Sequence, residues 1–203
     1  MKKITREVIN NAWTYDDYRT KVDELFAQGK TTGDNHSDAM LNYTKLNIFR
    51  MKRLDKTTRL TEVTLAQIQK ENRKITWLVI TEAWCGDAAQ IIPVLNKLAA
   101  ENDNINLKMI LRDENLEIMD QFLTNGSRSI PILIVLDSES LEVLNSWGPR
   151  PTEVQEMVME AKLNASNNPE DSKEIWDEAK KNAQIWYTKD KSKTIQAEIL
   201  GIK

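Results

Sequence analysis

Hydrophobic positions along this chain change period as the sequence proceeds. Through the first third they recur at helical spacing: Trp13, Tyr18, Val22, Leu25 and Phe26 mark one amphipathic segment that ends near Gly29. A second begins after the polar stretch Gly33 to Asp38, where Met40, Leu41, Tyr43, Leu46, Phe49 and Leu54 fall close to one helical face. Lys45, Arg50, Lys52, Arg53 and Lys56 mostly occupy other positions, so this reads as a docked helix with a basic, solvated outer side. Thr64 to Glu71 supports a short third helix.

From Ile75 the pattern is that of strands. Ile75 to Thr81 is a run of β-branched and aromatic residues, as expected of a strand covered on both faces. A helical stretch follows from Ala88 to Ala100, then a second strand, Ile105 to Leu111, and a helix over Leu116 to Leu123. Ile132 to Leu136 is another buried strand, and the alternating run Leu141 to Trp147 hairpins back beside it through a polar turn. Thr152 to Leu163 is a helix with Val154, Met157, Val158 and Ala161 on its apolar side. A last helix starts at the cap signal Asn168-Pro169-Glu170 and carries Ile175, Trp176, Ala179, Ala183 and Trp186. The order β-α-β-α-β-β-α between residues 75 and 163 describes an α/β fold in which a parallel pair with a right-handed crossover meets an antiparallel hairpin. The division expected is a helical extension over 1–59, an α/β domain over 60–165 and a second helical extension over 166–203.

Composition narrows the function. With 40% hydrophobic and 29% charged residues the chain is expected to fold almost throughout. A formal charge of −3 gives no electrostatic reason to bind nucleic acid, and no segment approaches the ~20 apolar residues that span a bilayer. The residues after Met1 lack the apolar run of a secretory signal, so a cytoplasmic protein is expected. A single cysteine, Cys85, excludes an internal disulfide, and one Cys with one His is no ligand set for tetrahedral zinc. No metal and no cofactor are expected.

The chemistry centres on Trp84-Cys85-Gly86-Asp87-Ala88, between the first strand and its helix. This segment resembles the thioredoxin superfamily, whose signature at the start of this helix is Trp-Cys-Gly-Pro-Cys. Pro93, eight residues after Cys85, falls where that family carries a kinking proline. Ser129-Ile130-Pro131 is similar to its cis-proline loop, and Gly148 to the glycine after its last strand. The wider run through Ala89 and Gln90, with Trp147 to Pro151 downstream, resembles a bacterial thioredoxin-like group that carries extra helices.

The resemblance implies a thioredoxin-like fold, a cis Ile130–Pro131 bond and a reactive Cys85. It implies that Trp84, Gly86, Asp87, Ile130 and Pro131 line the substrate site, and that the backbone of Ile130 offers strand-like hydrogen bonds to a substrate. The free N–H groups and positive end of the helix favour a Cys85 thiolate, while the Asp87 carboxylate opposes it, leaving the net shift open. Ala88 stands where the resolving cysteine would be, which leaves monothiol exchange with protein or low-molecular-weight thiols and disulfides as the first reading. A non-catalytic peptide-binding module and a peroxide-sensing thiol are the alternatives. Trp84 either shields the sulfur or packs as core, and Arg112 either pairs with Asp87 or is solvated. Glu82 either accepts a proton near Cys85 or is a plain strand-end carboxylate, and His36 is given no role.

Overall fold

In a computed structural model describing residues 4–201, four helices precede the sheet: α1 (Arg6–Asn11), α2 (Tyr15–Ala27), α3 (Asp38–Thr57) and α4 (Glu62–Ile68). The sheet region runs β1 (Ile75–Thr81), α5 (Gly86–Ala99), β2 (Ile105–Leu111), α6 (Leu116–Met119), β3 (Ile132–Asp137), β4 (Val143–Trp147) and α7 (Thr152–Asn167). Then come α8 (Ser172–Asp190) and α9 (Lys193–Leu200). The expected β-α-β-α-β-β-α order is present, and the fold is thioredoxin-like with helical extensions.

The strand order is β2-β1-β3-β4. β1 is parallel to β2 and antiparallel to β3, and β3 pairs antiparallel with β4. Every residue of β1 is buried, which is why its sequence is an unbroken β-branched and aromatic run rather than an alternation. On one side lies α5, whose Ile91, Ile92, Val94, Leu95 and Leu98 are fully enclosed. β4 is an edge strand with Val143 and Leu144 exposed.

Four expectations about elements need correction. The buried side of α3 is Thr44, Asn47, Met51 and Leu54, whereas Tyr43, Leu46 and Phe49 are exposed, Phe49 by 61%. The reason is polar: Asn47 and Thr44 are needed against backbone and hydroxyl groups of the interior, and an unpaired buried polar group costs more than an exposed aromatic. Helix α6 stops at Met119 instead of reaching Leu123, because the next N–H groups bond three residues back, Gln121 to the Ile118 carbonyl at 3.0 Å and Phe122 to that of Met119 at 2.9 Å, which tightens and ends the helical ladder. The last helix starts at Ser172, with Asp171 at its N-cap. The tail also contains a second helix, α9, which the sequence pattern did not announce. There Ile195, Gln196 and Ile199 are buried against α4 and α5.

Candidate functional site

The site begins where β1 ends. After Thr81 the chain makes a tight turn, closed by the Cys85 N–H donating to the Glu82 carbonyl at 3.1 Å. Both polar groups of Ala83 are held by the N-terminal extension: its N–H donates to Thr32 Oγ1 at 2.8 Å, and its carbonyl accepts from Asn47 Nδ2 at 2.8 Å. The turn is therefore fixed from outside the sheet, which leaves Cys85 at the N-cap of α5 with extended backbone angles.

Cys85 Sγ accepts from the Ala88 N–H at 3.5 Å, as an N-cap side chain does. Its thiol also donates to the Ile130 carbonyl at 3.3 Å. Ile130–Pro131 is cis, and the hydrogen bond to Ile130 places this loop against the sulfur. Gly148 backs this loop: its φ is +126°, and a Cβ there would lie 2.4 Å from the Pro131 carbonyl oxygen. The backbone needs a glycine at this point for both conformation and space.

The environment of the sulfur answers the question of charge that the sequence leaves open. Cys85 is only 8% exposed. Burial, and then the charge of Asp87, pushes its thiol up to about 12; the Ala88 and Asp87 N–H groups and Arg150 oppose this without prevailing. The helix terminus thus does not outweigh desolvation, and at neutral pH Cys85 is a protonated, hydrogen-bonded thiol.

Asp87 is the centre of a polar cover. Its Oδ2 accepts from Arg150 Nε at 2.6 Å and its Oδ1 from the Tyr187 hydroxyl at 3.0 Å. Arg150 also donates to Gln155 Oε1 at 3.0 Å. Burial raises the Asp87 carboxyl above its ordinary value, against the pull of Arg150 and Tyr187. Gln184, one turn before Tyr187 on α8, takes a hydrogen bond from Gln90 Nε2 at 2.7 Å, and its amide nitrogen lies 3.4 Å from where a Cβ on Gly86 would be. Arg50 of α3, whose Nη1 lies 3.8 Å from the same position, donates to Asn47 Oδ1 at 2.8 Å.

Trp84 is half-buried against the core, and the Arg112 guanidinium sits 4.8 Å above its ring. Arg112 pairs with Asp113 at 2.8 Å rather than with Asp87. Glu82 is fully enclosed; its Oε1 accepts from the Asp113 N–H at 3.0 Å, and burial raises its carboxyl. The Nδ1 of His36 accepts from the Thr31 N–H at 3.3 Å.

The structure thus brings Trp84, Cys85, Gly86, Asp87, Ile130 and Pro131 together. Sequence reasoning missed Asn47, Arg50, Arg150, Gln184 and Tyr187 as parts of the site. Arg150 lies within the Trp147 to Pro151 run, so a local signal existed, whereas Asn47 and Tyr187 carry none. Arg50, read as part of a solvated helix side, is half-buried against the site. Among the described residues no cluster of three or more His, Cys, Asp or Glu side chains could hold a metal ion. No described helix is long and apolar enough to cross a membrane.

Comparison with known proteins agrees with this fold. The sequence matches the thioredoxin family (Thioredoxin_9) over residues 33–163, well over half of the chain. No curated protein matches significantly. Among solved structures the chain is similar to a protein of unknown function, PA1234 from Pseudomonas aeruginosa, with a TM-score of 0.61 at 17% identity, covering 100% of this chain and 97% of that one. The shared fold therefore includes the helical extensions. A similarity to an HIV epitope-scaffold is weaker, with a TM-score of 0.48 at 22% identity over 66% of this chain and 79% of that one.

Proposed function

Since this chain belongs to the thioredoxin family, we propose that it is a monothiol redox protein that exchanges with protein or low-molecular-weight disulfides through Cys85. The observation that carries this reading is the sulfur's position at the N-cap of α5, within hydrogen-bond distance of the Ile130 carbonyl on the cis-proline loop. In the proposed step Cys85 gives up its proton to solvent and its sulfur attacks one sulfur of a substrate disulfide. The substrate S–S bond breaks, the departing half leaves as a thiolate, and Cys85 is left in a mixed disulfide. Ala88 cannot resolve this product, so a second thiol from solution attacks it, releases the bound half in a new disulfide and restores Cys85.

With a thiol pushed up to about 12, the resting thiolate fraction at pH 7 is on the order of 10⁻⁵. Exchange is accordingly slow in the covered state and rises with pH and with displacement of the Arg150 and Tyr187 cover. Family position and a cytoplasmic setting both suit such a thiol, since a reducing pool would supply the releasing partner.

The 8% exposure of Cys85 and its hydrogen bond to Ile130 favour a second reading, in which the protein is a non-catalytic binding module and the thiol only ties the loop to α5. One experiment separates the two. Wild type and Cys85→Ala are incubated with small disulfides from pH 7 to 10 and weighed intact by mass spectrometry. Exchange predicts an adduct on folded wild type, faster at higher pH, removed by added thiol and absent in Cys85→Ala. A folded protein that gains no adduct across this range is the binding module.

A further inference from the structure

Arg50 is placed in a way that its helix does not require. The residue is half-buried, and its Nη1 lies 3.8 Å from where a Cβ on Gly86 would be, beside Cys85. Burial and the neighbouring Arg53 destabilise its charge, and Asp87 supports it at longer range. Its hydrogen bond goes to Asn47, a neutral amide. Among the described residues no carboxylate forms an ion pair with it, as is also true of Arg53 and Arg59, whereas Arg19, Arg73, Arg112, Arg128 and Arg150 each have one. The closest acidic group of the site, Asp87, already uses one oxygen on Arg150 and the other on Tyr187.

The support beneath Arg50 is built. Asn47 is 1% exposed and bridges Arg50 to the Ala83 carbonyl. The same buried amide therefore fixes the turn that presents Cys85 and holds the guanidinium near Gly86. A cation held partly out of water, on a rigid support and without a protein anion, is arranged to receive an anion from outside. The Gln184 amide nitrogen also lies near this position, 3.4 Å from where the Gly86 Cβ would be.

We propose that Arg50 selects the substrate of Cys85: it receives the carboxylate of an anionic low-molecular-weight disulfide and holds the reacting sulfur at Cys85. This inference rests on the exchange reading and specifies its substrate class. The chemistry is unchanged. The Cys85 sulfur, having lost its proton to solvent, bonds to one substrate sulfur, and the other half leaves as a thiolate carrying the electron pair. Arg50 forms no covalent bond and acts as a specificity residue.

The test compares three disulfides of different charge on the folded full chain: oxidised mercaptopropionic acid, an anion; hydroxyethyl disulfide, neutral; and cystamine, a cation. Each rate of mixed-disulfide formation is divided by that of the same reagent with a free cysteine peptide. Wild type is expected to prefer the anion over the neutral reagent by about tenfold, the size of one charge-assisted contact, and the preference falls with added salt. Arg50→Gln is expected to remove the preference, read as the ratio of the anionic to the neutral corrected rate, and Arg50→Lys to restore part of it. Equal corrected rates for all three reagents in wild type, or a preference that survives Arg50→Gln, overturn the role of Arg50 and leave exchange standing. The absence of any mixed disulfide with all three overturns both. The wild-type comparison needs no variant to fold.

Discussion

At the scale of single residues, Cys85 and Asp87 set each other's charge. The carboxylate adds to burial in holding the thiol protonated, so removing it must lower the Cys85 pKa. Asp87→Asn is therefore expected to move the pH profile of Cys85 alkylation to lower pH. Each unit of that shift gives about tenfold faster reaction at any pH below the midpoint. The same change leaves Arg150 without its anion but also removes a carboxylate whose burial is costly, so stability, read by denaturant unfolding, is expected to change little. A profile that stays in place would show that Asp87 does not act on the sulfur. Gly148 is a second case where one atom decides. With φ at +126° and 2.4 Å from a would-be Cβ to the Pro131 oxygen, Gly148→Ala is expected to cost roughly 3–5 kcal/mol and to lower the thermal midpoint accordingly.

At the scale of elements, the extensions position the site instead of decorating it. Helix α3 supplies Asn47 and Arg50, the loop before it supplies Thr32, and α8 supplies Gln184 and Tyr187. Helix α9 ties the two ends together: Gln196 Oε1 accepts from the Thr61 N–H at 3.0 Å, and its Nε2 donates to the Arg59 carbonyl at 3.0 Å. Glu198 of the same helix accepts from Trp147 Nε1 and the Thr152 N–H, at 2.9 Å each. Gln196 is fully buried, so Gln196→Ala leaves two backbone groups without partners and is expected to cost roughly 2–3 kcal/mol. The readout is the denaturation midpoint, and a change below about 0.5 kcal/mol would mean that α9 is not a fastener.

At the scale of the whole molecule, these ties are expected to make the N-terminal helices, the sheet and the C-terminal helices unfold as one unit. Tryptophans report from all three parts: Trp13 ahead of α2, Trp77 and Trp147 in the sheet, Trp176 and Trp186 in α8. Unfolding followed by tryptophan fluorescence and by far-ultraviolet circular dichroism is expected to give coincident transitions. Two separated transitions would mean that the extensions fold independently of the residues they hold.

Much of this protein is set by local pattern. The unbroken apolar run of β1, the order of strands and helices after it, and the placing of Cys85 between β1 and α5 all follow from residues adjacent in the chain, because strand and helix periodicity are local properties. The signature residues around Cys85 and Pro131 were legible through the resemblance to the thioredoxin superfamily, whose motifs are likewise runs of adjacent residues. What only the tertiary structure decided is the state of that sulfur and the identity of its neighbours. Asn47, Arg50, Arg150, Gln184 and Tyr187 come from distant parts of the chain, and burial depends on how all of them pack. Desolvation is a property of the assembled surroundings, so the helix terminus written into the sequence could indicate a thiolate while the folded molecule keeps a thiol.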